Sequence, residues 1–251
     1  MAGHNKWSKV KHIKAKEDAK RSKAFSKLSK EISIAARDGG GDVGMNPRLR
    51  TAVDNAKAVS MPKDNIERAI KKGTGELGGD AIEEITYEGF ASGGVAVIVE
   101  VSTDNKNRSA ADLRSLFNKN NGNMGTTGSV SYLFNRVGEI RIALEDISED
   151  DLLEKAGDAG AEDIFVEEDS HVIHTAADQL GAVASALTEA GLNLRGQNLV
   201  YVPENLVLVE DASEASKILR LYEALDEYDD TLNVFANFDI PDSILEEALG
   251  D

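Results

Sequence analysis

Residues 139–202 read EIRIALEDISEDDLLEKAGDAGAEDIFVEEDSHVIHTAADQLGAVASALTEAGLNLRGQNLVYV, and the fold turns on how this stretch divides. Its apolar residues switch between the two-residue period of strands and the 3.6-residue period of helices. Strands are predicted over 139–144, 163–168, 171–175 and 196–202, with helices over 150–159 and 178–190. Strand, helix, strand, twice over, is the split βαβ order of a ferredoxin-like sandwich.

Working outward, the same pattern recurs in broken form on both sides. Ahead of it come a leading strand over 84–88, the alternating Val95, Val97, Val99 and Val101, a helix over 110–119 and a strand over 129–135. Behind it come a strand over 206–209, a helix over 214–225 carrying Ile218, Leu219, Tyr222 and Leu225, and a strand over 232–238. The reading is a second ferredoxin-like module interrupted at its middle hairpin by the first. The domains expected are 1–80, a basic arm and helical domain; 81–135 with 205–251, a discontinuous α/β domain; and 136–204, the inserted ferredoxin-like domain. The fold class is α+β: an N-terminal three-helix domain followed by two ferredoxin-like α/β modules, one inserted into the other.

Three helices are predicted in the amino-terminal part. Phe25, Leu28, Ile32 and Ala35 recur at three- and four-residue spacing, giving a helix over 19–36 that Gly39, Gly40 and Gly41 stop. Lys20, Lys23, Lys27, Lys30 and Arg37 fall on the opposite side of that wheel, so burying the apolar stripe projects a row of cations, with Ile34 as the one misfit. Asn46 caps a second helix that starts at Pro47 and turns Leu49, Ala52, Val53 and Ala56 inward. Pro62 opens a third, with Ile66, Ala69 and Ile70 buried, Lys71 and Lys72 at the negative end of its dipole and Gly73 as terminator. Residues 74–80 are a Gly-rich linker.

Charge gives these helices a meaning. The chain of 251 residues carries a formal charge of -17, yet residues 1–72 hold 18 Lys+Arg against 8 Asp+Glu. The remaining residues hold 10 against 37. A head of +10 on a body of -27 attracts phosphate at one end and resists it at the other, which orients docking on a polyanion. The candidate nucleic-acid contacts are therefore Lys6, Lys9, Lys11, Lys14 and Lys16 in the arm, then Lys20, Lys23, Lys27, Lys30 and Arg37 on the first helix. Arg48, Arg50, Lys63, Arg68, Lys71 and Lys72 add to them from the second and third helices. Trp7, the single tryptophan, suits stacking on an exposed base and anchoring the arm equally well. Lysine neutralises phosphate without the bidentate geometry that reads bases, so sequence specificity is not evident. The competing arrangement is a helix-turn-helix offering Lys63, Asn65 and Arg68 to a groove.

Other chemistries find little purchase. The absence of cysteine excludes disulfides, thiolate metal sites and a Cys nucleophile, and agrees with a reducing cytoplasm. No apolar run reaches the length of a membrane span, and the basic start lacks the hydrophobic segment of a secretion signal. The glycines of residues 122–128 follow a helix and precede a strand, the reverse of a phosphate loop, so a plain turn is expected. His171 and His174 lie three apart on a predicted strand and point to opposite faces, so they do not share a metal. We expect no catalytic residues, no metal and no cofactor; a protein-binding adaptor is the alternative from another class.

The chain resembles the YebC/PmpR family, which includes the mitochondrial translational activator of cytochrome oxidase. The resemblance rests on Gly3-His4-Asn5-Lys6-Trp7, Lys14-Ala15-Lys16, Asn46-Pro47-Arg48-Leu49-Arg50, the run from Met61 to Ile70, Gly93-Gly94-Val95-Ala96 and residues 233–240. Asn5 and Phe90-Ala91-Ser92 depart from the usual pattern. The resemblance implies three domains, a cytoplasmic location and a DNA-binding transcriptional regulator. It also implies a second possibility, a ribosome-associated translation factor that binds structured RNA and relieves stalling.

Overall fold

The computed structural model describes residues 17–78, 82–167 and 169–250 and divides into two compact units. One comprises residues 1–30, 80–135 and 202–251, the other 31–79 and 136–201. The fold is α+β, as the sequence implies.

In the second unit, β4 (Phe134–Ala143), α5 (Glu149–Ala159), β5 (Asp163–Glu167), β6 (Ser170–Ala176), α6 (Leu180–Glu189) and β7 (Leu194–Pro203) follow the predicted order closely. The sheet runs β5-β6-β4-β7. Each βαβ crossover therefore steps over one strand of the other, which interleaves the two halves. Ser148 caps α5 by accepting from the Asp151 N–H, and Gly160 ends it in the left-handed region. Ile140, Ile142 and Ile173 meet Leu152, Ala156, Val183 and Leu187 in one core. Burying each large aliphatic side chain contributes about 1.5–3 kcal/mol.

The same unit holds α2 (Pro47–Ala58), α3 (Lys63–Gly73) and the later part of α1 (Glu17–Gly39). Asn46 does more than cap. Its Oδ1 accepts from Leu49 N at 3.0 Å while Nδ2 donates to the carbonyls of Ala35 at 2.7 Å and Gly40 at 2.8 Å, so one buried amide fastens the end of α1 to the start of α2. Asn55 likewise donates to Gln197 O at 2.9 Å and accepts from Gln197 N at 3.1 Å, pairing α2 with β7 as a neighbouring strand would.

The misfit at Ile34 has a structural answer. Ile32, Ser33, Ile34, Ala35 and Ala36 are all buried, so this part of α1 is enclosed on every side and carries no solvent face. Gly73 is needed here for closeness rather than as a left-handed cap: a Cβ on it would sit 2.1 Å from Ser33 O and 2.9 Å from Ala36 Cβ. Gly73→Ala is expected to lose about 2 kcal/mol in urea denaturation, overpacking outweighing the roughly 1 kcal/mol by which alanine favours a helix. A gain in stability would refute that close approach.

In the first unit, β1 (Glu83–Phe90) and β2 (Ala96–Thr103) form an antiparallel hairpin, followed by α4 (Lys106–Lys119) and a two-residue β3 (Asn123–Met124). After residue 202 the chain adds β8 (Val207–Leu208), α7 (Ala212–Glu227), β9 (Thr231–Ala236), β10 (Phe238–Asp239) and α8 (Asp242–Gly250). The sheet order is β3-β1-β2-β9. This is the arrangement of the other sheet with its third strand supplied from the front: β2-α4-β3 steps over β1, and β9 closes the far side of β2. Val97 and Val99 face the core with Leu113, Phe117, Ile218 and Tyr222, while Ile98 on the opposite face is fully buried as well.

Two predicted strands differ. Residues 129–133 are turn and 3-10 helix, and Phe134 instead opens β4 of the other sheet. The strand expected over 206–209 lies outside the main sheet, pairing in parallel with β10. The first difference has a clear cause: buried Glu88 accepts from the backbone N–H groups of Gly128 and Val130, each at 2.7 Å, and of Ser131 at 2.9 Å. The glycine-rich segment that superficially resembles a phosphate loop is wound around the protein's own carboxylate.

Candidate nucleic-acid interface

Lys6, Trp7, Lys9, Lys11, Lys14 and Lys16 lie outside the described residues, and Lys20 and Lys23 are described only as backbone of α1. The rest of the expected set separates into cations held by the protein and cations left to solvent.

Lys27 and Lys30 belong to the first group, which corrects the expected solvent-facing row. Lys27 Nζ lies 2.8 Å from Asp226 Oδ1, and Lys30 Nζ donates to the Asp229 carbonyl and lies 3.3 Å from Asp230 Oδ1. Only 22% and 21% of the two lysine side chains is exposed. A cation so paired offers a phosphate little net attraction, because binding must first break a partly desolvated pair. Asp230 also accepts from Thr103 Oγ1 at 3.1 Å, Arg108 at 2.9 Å and Ser109 Oγ at 3.0 Å. Burial works to raise its pKa, but hydrogen bonds from Arg108 and Ser109 and the Lys30 charge outweigh it and hold the carboxyl below the ordinary aspartate value.

Arg37 and Arg48 share one acid, Asp38, at 2.7 and 3.1 Å, so their combined local charge is halved. Arg50 donates to the carbonyls of Val43 at 3.2 Å and Gly44 at 2.7 Å and thereby shapes the loop before α2. Lys63 lies 3.4 Å from Glu67 one turn along α3, a highly exposed pair that contributes little.

Arg68, Lys71 and Lys72 are different. Ile66 and Ala69 are buried and Ile70 is half-buried, which turns these three side chains outward within five residues of α3. No carboxylate among the described residues pairs with them. Lys71 and Lys72 also sit in the last turn, where the helix dipole favours cations. Position and charge together make this the strongest part of the expected set in the described head.

Among the described residues, the two histidines of β6 engage separate partners. His171 Nε2 lies 3.0 Å from the Ile147 carbonyl, whereas His174 lies edge-on to Phe165 and 3.7 Å from Glu139. Burial raises the Glu139 pKa, but His174 and Arg141 more than reverse this and bring it down to about 2. Arg141 bridges Glu139, two residues before it on β4, and Glu167 of β5, which lies beyond β6 in the sheet, at 2.8 Å each. The described residues contain no group of three His, Asp or Glu side chains arranged to hold a metal, and no described helix is long and apolar enough to cross a membrane.

Composition could not reveal the acids that occupy Lys27 and Lys30, because they lie 199 and 200 residues away. Glu88 was equally hidden, being one carboxylate among 45.

Residues 5–76 match the model of the TACO1/YebC protein N-terminal domain, and residues 82–238 match that of the TACO1/YebC second and third domain. A protein of Akkermansia muciniphila named "Probable transcriptional regulatory protein" is 54% identical over 249 residues, covering 98% of this chain and 99% of its own length. A protein of the same name from Aquifex aeolicus is 48% identical over 247 residues, covering 98% and 99%. The crystal structure of a conserved hypothetical protein from Aquifex aeolicus superposes with a TM-score of 0.86 at 48% identity, covering 92% of this chain and 96% of that one. The first two of these relatives carry a regulatory rather than an enzymatic name, and with both family models matched along its length the chain belongs to the TACO1/YebC family.

Proposed function

We propose that this protein is a non-enzymatic, cytoplasmic regulator that binds nucleic acid chiefly through the phosphate backbone, with the basic helical head making the contact. The observation that carries this reading is the exposed triplet Arg68, Lys71 and Lys72 on α3, which has no ion pair among the described residues, within a head of +10 attached to a body of -27. The name borne by the relatives supports a role in transcription. A second target, structured RNA such as that of the ribosome, is favoured by the lysine-led composition of the head. Point charges track phosphates without reading base edges, and a folded RNA satisfies them as well as a duplex does.

The test is the salt dependence of binding to duplex DNA and to a structured RNA. R68Q/K71Q/K72Q is expected to reduce the magnitude of the log–log slope by about 2–3 if all three side chains touch phosphates, at roughly 0.7–0.9 for each phosphate no longer neutralised. K27Q/K30Q is expected to leave that slope unchanged and to lower stability by about 1 kcal/mol, because both lysines are already paired. An unchanged slope in the α3 variant overturns the reading, and the nucleic acid showing the larger loss identifies the preferred target.

A further inference from the structure

We infer that α4 of the acidic body carries a second phosphate-backbone contact; this rests on the nucleic-acid reading above and extends it to a surface outside the head. Beyond residue 72 the chain has only 10 Lys+Arg against 37 Asp+Glu, yet four of those ten, Lys106, Arg108, Arg114 and Lys119, fall in the 14 residues of α4 beside one acid, Asp112. Such a concentration in an otherwise acidic body is the segregation that marks the head, repeated on a smaller scale.

Geometry separates the available cations from the engaged ones. Ser109, Leu113 and Phe117, four residues apart, form the buried stripe that seats α4 on its sheet. Arg108 is held by Asp104 and Asp230, each at 2.9 Å. Asp112 accepts from the Tyr228 hydroxyl at 3.1 Å. On the outward side, Ala111, Arg114, Ser115, Asn118 and Lys119 line a shallow open depression of about 510 Å³. Arg114 and Lys119 are exposed and have no ion pair among the described residues.

The lining supplies a guanidinium, an ammonium, an amide and a hydroxyl, with no carboxylate among them. These are the side chains that contact phosphate and sugar oxygens in nucleic-acid complexes. Ala111 is the only apolar lining residue, so the surface lacks the aromatic or aliphatic anchor through which a protein partner would gain most of its affinity. The last turn of α4 brings roughly half a negative charge, which disfavours an anion by up to about 1 kcal/mol, but two full positive charges exceed it. Arg114 and Lys119 stand five residues apart, about 7.5 Å along the helix, room for two phosphates of one strand.

The experiment uses the full chain with the same duplex DNA and structured RNA. R114Q/K119Q is expected to lower the magnitude of the salt slope by about 1.4–1.8 for two phosphates no longer neutralised, with the melting temperature unchanged, whereas the charge-preserving R114K/K119R keeps the wild-type slope. If R114Q/K119Q keeps the full slope while R68Q/K71Q/K72Q loses it, the α4 contact is refuted and the head reading stands. If the wild-type chain shows no salt-dependent binding to either nucleic acid, both fall together. Should R114Q/K119Q instead lose binding to polyglutamate alone, α4 is a protein-docking surface and the inference is overturned.

Discussion

Glu88→Ala is expected to cost the protein about 3–5 kcal/mol, the largest single-residue effect the structure points to. Glu88 is 4% exposed, and its carboxylate accepts three backbone N–H bonds from the 128–131 turn. Its removal leaves those donors without the acceptor around which the turn is wound, at about 1–3 kcal/mol for each one that water cannot reach. Glu88→Gln, which keeps one carbonyl oxygen but places an amide against an N–H, is expected to lose roughly half as much. The pH dependence has a definite sign. Burial raises the Glu88 pKa, but hydrogen bonds from Val130, Gly128 and Ser131 outweigh it, and the folded-state pKa lies below the ordinary value of 4.5. The stabilisation is therefore fully present above the unfolded pKa and is lost as pH falls through the folded one. Urea denaturation of wild type and Glu88→Gln from pH 7 down to pH 3 is expected to show their difference shrinking in the acid range, and a difference independent of pH would refute the ionised carboxylate.

That one residue also shows where sequence reasoning stops. The alternation of Val95 to Val101, the Asn46-Pro47 helix start and the strand-helix order of residues 139–202 are local signals, set by side-chain period and cap chemistry, and each element stands where they indicate. The strand expected over 129–135 failed because a carboxylate 40 or more residues earlier claims the backbone donors a strand would use. Likewise, a charge count identified a basic head but could not say which cations were already spoken for. Lys27 and Arg68 look alike in the sequence; what separates them is whether folding brings an aspartate alongside. The α4 cluster stands in the sequence as four cations within an acidic stretch, but a count over the whole body hid it, and only the Ser109, Leu113 and Phe117 stripe shows which of them face outward. Ile34 reads as a flaw on a two-sided wheel because that wheel assumes one solvent face, and this turn of α1 has none.

Asp230→Ala is the second large effect, expected at about 3 kcal/mol. Its side chain is 15% exposed and gathers donors from three segments: Lys30 of α1, Thr103 at the end of β2, and Arg108 and Ser109 of α4. Taking away the shared acceptor removes one partner from each of two cations and two hydroxyls at once; the figure stays below that for a wholly buried pair because Lys30 keeps the Asp229 carbonyl, Arg108 keeps Asp104, and Arg108 is half exposed and screened by water. Asp230→Asn keeps an acceptor for Thr103 and Ser109 but not the charge, so it is expected to lose less. A double-mutant cycle between Lys30→Gln and Asp230→Asn should return a coupling of about 1 kcal/mol that weakens with added salt. The linkage runs in the same direction as for Glu88, since the depressed folded pKa makes this stabilisation disappear as pH falls through it. A coupling near zero at low salt would mean that Lys30 rests beside Asp230 without energetic consequence, and Lys30 would return to the cations available for phosphate.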